Sequence, residues 1–295
     1  MIGKLDIATY NMMCRGITMT SSNTQLKEKL TQIEKDEYKV PATMNAFEIG
    51  LEMMMYIGDI DPELRDNLIY STFAEWIDRG EFTEEQVREL LHICLDEQHL
   101  FYGIGENETD SVFTRTFSVL IVPLVMGKDR DQRFLSKEEV ILIKKKLIAY
   151  MNLEQDYRGY VEEKGWAHAI AHVSDGLEAI AQSPFLERED LIDILNAIQP
   201  KFLVNNYVYI NKEDERNVSA IISVFNRELL TDHEIHSWIQ SFGEKKKVGN
   251  HPEDDIQYMN MKCLLRSLYF RILDQPQLAR FSDTVVETLQ KLDKK

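Results

Sequence analysis

The sequence predicts an all-α fold, a single domain in which helical hairpins stack into a curved α-α superhelix of the HEAT or armadillo kind. Three observations carry this. Nearly every segment repeats its apolar residues at steps of three and four. β-Leaning runs are confined to Phe202-Leu203-Val204 and Tyr207-Val208-Tyr209-Ile210, both short. Acidic residues, mostly with an arginine close by, open successive helices at Asp66, Asp110, Asp156, Asp214 and Asp255, at spacings of 44, 46, 58 and 41. Helical-hairpin repeats have periods of roughly 40–47 residues, a rhythm that the spacing of 58 breaks; such arrays bury one helix pair against the next, and the alternative is an irregular helical domain.

The elements follow in order. Helices are expected over 24–36, 44–57 and 62–79, with Met53-Met54-Met55 in the second serving core packing. Thr83 ahead of Glu84, Glu85 and Gln86 opens a helix over 83–98, and another spans 110–126. Ser136 ahead of Lys137, Glu138 and Glu139 is a capping box for 136–151. Helices over 157–164, 166–182, 187–199 and 214–230 come next. Thr231 ahead of Asp232, His233 and Glu234 caps 231–242, and helices over 253–273 and 276–292 close the chain. The seven prolines and thirteen glycines fall mostly between these patterns, where they act as breaks. The irregular stretches 100–109, 127–134, 200–213 and 243–252 are loop-sized, so 21–295 reads as one domain. Residues 1–20 match no later pattern, and Met19-Thr20-Ser21-Ser22-Asn23 reads as an alternative start after an N-terminal extension.

Composition narrows the function classes. The 295 residues are 44% apolar and 28% charged, with a formal net charge of −16. That balance opposes nucleic acid and anionic membrane, because phosphate neutralisation needs clustered lysine and arginine. The one dense basic run, Lys245-Lys246-Lys247, reads as a solvated loop. Cys14, Cys94 and Cys263 share no metal spacing and suit reduced thiols of a cytoplasmic protein. No apolar run reaches the roughly 18 residues of a membrane span, and the N-terminus lacks the pattern of a signal peptide.

Gly165 to Leu177 is the most informative stretch. Read as a helix, it places Trp166, Ile170, Val173, Leu177 and Ile180 on one apolar stripe. At about 100° per residue, His168, His172 and Asp175 fall roughly 180–240° from Trp166. Lysine and glutamate would be ordinary on that face. Two imidazoles and a carboxylate, flanked by Ala167, Ala169, Ala171, Gly176 and Ala179, point instead to a site. Positions i, i+4 and i+7 can converge on one divalent ion, and this ligand set suits zinc, iron or manganese. An organic or anionic ligand pocket and a purely structural polar network are open alternatives. The HExxH pattern is absent, since Ala169 stands where its glutamate would be. A helix starting after Lys164-Gly165 would put His168 in its first turn, where the dipole favours neutral imidazole and attracts an anion.

Two further segments join it. In Asp156-Tyr157-Arg158-Gly159-Tyr160, an arginine beside a glycine can present a fork donor at a tight turn, or pair with Asp156 to lock one repeat to the next. Gly103 and Gly105 lack the Lys-Ser/Thr of a phosphate loop, which rejects nucleotide binding on that basis. Beyond them Asp110 can cap a helix that carries Arg115 and Ser118 on one face. The repeat rhythm would gather Asp110, Arg115, Asp156 and Arg158 with Trp166, His168, His172 and Asp175 on the concave side. Glu213-Asp214-Glu215-Arg216-Asn217 reads as a solvated helix start, and Asn260 with Arg266 and Tyr269 is a weaker addition.

Asp156-Tyr157-Arg158-Gly159-Tyr160 and Gly165-Trp166-Ala167-His168-Ala169-Ile170-Ala171-His172 with Asp175, supported by Asp110–Ser118 and Glu213–Arg216, resemble an uncharacterised bacterial family, the domain of unknown function numbered 2785. The resemblance runs over most of 24–273. It implies an all-helical cytoplasmic protein from a Gram-positive bacterium and brings no activity, cofactor or functional residue. Two functional readings follow from the residues. The first is a binding scaffold that holds a small ligand, peptide or protein in its concave face. The second is a metal-assisted hydrolase, with His168, His172 and Asp175 holding the ion and Arg115 or Arg158 stabilising developing negative charge.

Overall fold

The computed structural model describes residues 22–294. Cys14, the expected extension and Met19-Thr20-Ser21 of the alternative start lie outside them.

The chain is helical almost throughout. α1 (Asn23–Lys35) and α2 (Ala46–Met55) precede a π-helical segment, Glu63–Tyr70, which runs directly into α3 (Ser71–Arg79). Then come α4 (Glu84–Cys94), α5 (Ser111–Val119), α6 (Ile121–Gln132) and α7 (Lys137–Leu153). A small antiparallel hairpin, β1 (Tyr160–Val161) with β2 (Gly165–Trp166), leads to α8 (Ala169–Ala181). α9 (Arg188–Lys201), α10 (Glu213–Phe225), α11 (Asp232–Phe242), α12 (Glu253–Leu273) and α13 (Ser282–Asp293) complete the fold. Ser22 with Gln25, Thr83 with Gln86, Ser136 with Glu139 and Thr231 with Glu234 each form a reciprocal capping box. Each box satisfies two backbone donors that the helix leaves open.

Contacts run from one helix pair to the next. α3, α6, α8, α10 and α12 pack in series, each on its successor. A second row is tied by charge and packing: Arg88 of α4 pairs with Glu139 of α7 at 3.2 Å, and Lys144 of α7 pairs with Asp190 and Asp193 of α9 at 2.7 Å. Arg188 of α9 pairs with Glu234 of α11, which packs on α13. One continuous hydrophobic cluster runs between the rows. α8 lies at its middle, contacting α5, α6, α7, α9 and α10. Eleven of its thirteen residues are buried, and only Asp175 and Glu178 reach partial exposure. Gly176 keeps α8 close to α7, since a Cβ there would stand 3.2 Å from Leu147 Cδ1.

Three expectations change. The helix expected over 157–164 is absent; a polar loop and the hairpin replace it. Asp156 accepts from the backbone N–H groups of Glu108 (3.0 Å) and Arg158 (3.2 Å), and such local bonds compete with helix formation. The helix expected from 166 starts at Ala169, leaving Trp166 on β2 and off the apolar stripe. The helix expected over 110–126 breaks at Leu120 and continues through Gln132 into the stretch read as a loop. Pro123, which cannot donate to Val119, accounts for the break. As expected for the irregular stretch 200–213, the β-leaning runs at 202–204 and 207–210 form no strand; Asn260 holds the second, accepting from Tyr209 N (3.0 Å) and donating to Tyr207 O (2.8 Å).

By length and average composition alone, Ser111–Gln132, which spans α5 and α6, is apolar enough to cross a membrane, although polar residues interrupt the run. Its most apolar window is 67% buried within the fold, so core packing accounts for that character.

Candidate functional site

His168 is held in a conformation that a side chain rarely adopts. As the residue preceding α8 it has φ 51° and ψ 34°, the left-handed region. Its N–H donates to Arg158 O (3.0 Å) and Gly159 O (3.3 Å), while Ala167 N donates to Gly159 O (2.8 Å). Gly159 is required there, because a Cβ would lie 2.2 Å from Asn211 Oδ1. Gly165, at φ 78°, lets the hairpin touch the π-helical segment; its Cβ would meet Pro62 Cβ at 2.8 Å and Arg65 Nη2 at 3.1 Å.

These constraints present an aromatic stack. The His168 and Trp166 rings lie nearly parallel with centroids 4.3 Å apart, and Tyr160 meets Trp166 edge-on at 5.0 Å. Trp166 is 40% exposed. Beside it are Asp66, supported by the Trp166 backbone N–H, and Asp175, whose oxygens both accept from Arg216 Nη1 at 2.8 Å. Tyr70 lies within the field of Asp175 and Arg216. Burial raises Asp66 and Asp175 to about 6 against the pull of Arg65 and Arg216 respectively. Burial, reinforced by Arg216, lowers His168 to about 4. It takes His172 well below the usual histidine range, with His168 and Arg216 adding to the effect. Both imidazoles are neutral at pH 7.

Behind the stack lies a polar interior. His172 stands perpendicular to His168 at 5.6 Å and edge-on to Phe117 at 5.4 Å. His168 Nε2 is 3.7 Å from Glu213 Oε1. Neither atom has a hydrogen-bond partner, nor do His172 Nδ1 and Asn217 Oδ1. Glu213 and Asn217 are buried at the start of α10, and burial raises the Glu213 carboxyl.

The remaining expected residues form a separate clasp. Arg115 is fully buried, and every donor group is engaged. Nε and Nη2 bind Glu154 at 2.8 and 3.0 Å; Nη1 reaches Tyr102 O, Gly103 O and Ser111 Oγ at 2.9, 3.1 and 2.7 Å. Asp156 pairs with Arg158, whose Nη2 also donates to Thr109 O at 2.8 Å. Asp110 makes no side-chain cap and instead accepts from Lys164 Nζ at 2.7 Å. Lys201 donates to Glu154 O at 2.8 Å, and burial lowers its ammonium to about 8.

The metal triad therefore does not assemble. Among the described residues, no three His, Cys, Asp or Glu side chains gather as ligands for zinc, iron or manganese. His168 lies outside the helix, so the i, i+4, i+7 register is lost, and Asp175 is committed to Arg216. The residue facing His168 is Glu213, which the sequence places in a solvated helix start. Arg65 and Asp66 are the other omission. Arg65 is fully buried over Phe113 and Phe117, donates to Lys164 O and Asp59 O at 2.7 Å, and forms an ion pair with Asp66 at 2.8 Å. The one available sign was an arginine inside an apolar pattern.

The stretch carrying the clasp, hairpin, α8 and α10 matches the family described as Protein of unknown function (DUF2785), over residues 100–270. The chain belongs to the DUF2785 family. The match spans more than half of the sequence, a narrower range than the expected 24–273, and takes in the described site apart from the π-helical residues Arg65, Asp66 and Tyr70. No curated protein and no solved structure matches the chain.

Proposed function

We propose that this DUF2785 protein is a binding scaffold: helix pairs stacked in a curved, HEAT-like array that holds a small ligand, peptide or protein on the face carrying Trp166, His168, Asp175 and Arg216. One observation carries the reading. A bulky indole is left 40% exposed on a two-residue strand, fixed against an imidazole, beside a charged pair and above buried polar atoms that lack partners. Aromatic and arginine side chains concentrate binding energy where they can be desolvated, and buried polar groups without partners are uncommon outside functional sites. The serial packing of helix pairs supports the array. The charge of −16 argues against nucleic acid and anionic membrane as partners, and a cytoplasmic setting suits the sparse, spaced cysteines.

Thermal-shift panels of metabolites and short peptides, run on wild type, Trp166→Ala and Arg216→Ala, test this. Ligands that stabilise wild type should lose most of that effect in both variants while the unliganded melting temperatures stay within about 2 °C, because both side chains are surface-exposed. Ligands that stabilise all three proteins equally would place binding elsewhere and overturn the reading.

A further inference from the structure

The backbone of one residue, Asn211, turns two buried side chains toward each other. Its N–H donates to Glu213 Oε2 at 2.8 Å, and its carbonyl accepts from the His168 ring. The atoms left over, Glu213 Oε1 and His168 Nε2, face each other at 3.7 Å, and neither has a hydrogen-bond partner among the described residues. In a neutral ring whose other nitrogen donates to Asn211, Nε2 is a lone pair. The Glu213 side chain is 1% exposed and that of His168 11%. A carboxylate so deeply buried calls for a cation, and among the described residues no lysine or arginine pairs with Glu213. The surrounding charges favour a neutral pair. Asp214 opposes ionisation of the Glu213 carboxyl, and Arg216 on the same helix opposes a charged His168. Nearby on α8 stand the neutral His172 and Asp175, the latter paired with Arg216. Tyr207 and Tyr209, on the loop ahead of α10, lie in the field of Glu213, Arg158 is paired with Asp156, and Arg65 of the π-helical segment acts on His172.

A protonated carboxyl removes the buried charge and supplies the donor that Nε2 lacks. Closing 3.7 Å to a hydrogen bond of about 2.8 Å is a shift of about 1 Å, which rotation of a glutamate side chain provides. An imidazolium–carboxylate pair would use the same proton but hold two charges away from water, against the burial of both groups and the field of Arg216. A water molecule between them would leave Glu213 charged. We propose that Glu213 is a neutral acid at pH 7 whose O–H donates to His168 Nε2, a one-proton latch that fastens α10 to the residue preceding α8 and holds the Trp166 stack in place. Loss of the proton sets a carboxylate against a lone pair and turns the latch into a repulsion. Burial raises the carboxyl in the fold, so the link is complete at low pH and is lost as pH rises through the folded value. Its effect on binding rests on the scaffold reading: the face carrying Trp166 is fixed at neutral pH and loosens in alkali.

Infrared difference spectra between the full wild-type chain and Glu213→Gln, together with imidazole nitrogen chemical shifts of wild type, give the test. At pH 7 wild type should show a protonated-carboxyl C=O band that Glu213→Gln lacks; Asp66 and Asp175 are common to both proteins and cancel. Isotope labelling of glutamate identifies the band in wild type alone, should the variant fail to fold. His168 should be the Nδ1–H tautomer, with Nε2 accepting. Raising the pH should remove the band and, in step with it, shift His168 Nε2 and the Trp166 indole N–H. Glu213→Gln, whose amide can donate to Nε2 at every pH, should keep the indole at its neutral-pH position throughout. Absence of the band at pH 7, a protonated His168 Nε2, or an indole that stays put while the band is lost each overturns the proposal. If the latch fails while a panel ligand still depends on Trp166, the scaffold reading stands without it. If band, tautomer and coupled shift all appear while no ligand depends on Trp166, the latch stands and the scaffold reading falls.

Discussion

Replacing Arg115 by methionine separates a structural arginine from a ligand-binding one. Methionine keeps most of the volume and removes the charge. It leaves Glu154, itself fully buried, without its partner, and strips donors from Tyr102 O and Gly103 O. Breaking one side of a buried ion pair costs about 3–5 kcal/mol, mostly because the other charge is stranded. The unfolding entropy of a 295-residue chain near its melting point is about 0.6 kcal/mol/K, so the melting temperature should fall by roughly 5–8 °C. Differential scanning calorimetry at pH 7 reads this directly. Adding Glu154→Gln should recover part of the loss, because the amide oxygen still accepts from the Gln155 and Asp156 backbone N–H groups, now bonded at 2.9 Å, without a buried charge. A melting temperature within 1 °C of wild type, together with lost ligand capture, would refute the argument and return Arg115 to the binding face.

His168 should make the fold acid-sensitive. Its pKa near 4 lies below the unfolded value of 6.5, so the stability it contributes is complete above 6.5 and is lost as pH falls toward 4. By pH 5 the loss is about 2 kcal/mol, and the change in melting temperature from pH 7 to pH 5 should be roughly 3 °C more positive in His168→Gln than in wild type. Asp66 and Asp175, raised to about 6, act in the opposite sense in both proteins and cancel in the comparison. A His168 titration midpoint near 6.5 by NMR would sink the prediction. Gly165→Ala should cost about 1–3 kcal/mol, from its left-handed backbone and the contact with Pro62, and should speed amide exchange at Trp166. Unchanged exchange there would show that the hairpin does not depend on this contact.

Periodicity made the helices legible, because each buries one face and the apolar spacing records it. Capping boxes at Thr83, Ser136 and Thr231 fixed their starts within a residue. What periodicity could not show was the break at 154–168. There the chain is shaped by contacts distant in sequence: Asn211 against Gly159, Pro62 against Gly165, and Arg65 on Lys164 O. The apolar and histidine spacing from 166 onward looked helical, yet its first three residues belong to the hairpin and its end. The same blindness hid Glu213. Its neighbours Asp214, Glu215 and Arg216 are those of a solvated helix start, and only the packing of α10 on α8 buries it against His168.

The residues expected in one cluster divide into two, and the division has a mechanical logic. Arg115 fixes Glu154; Glu154 Oε1 accepts from Asp156 N; Asp156 fixes Arg158 through its guanidinium. Arg158 and Gly159 in turn present the carbonyls that hold His168 N and Ala167 N. Each link is a directional bond in a region of low dielectric, where misplacement is costly. A left-handed histidine cannot be maintained by its own helix, whose ladder begins only with His172 N on His168 O. The clasp therefore supplies from outside the rigidity that orients the Trp166–His168 stack over Glu213. On the scaffold reading proposed above, Asp156, Arg158 and Arg115 would act on binding by setting where His168 stands.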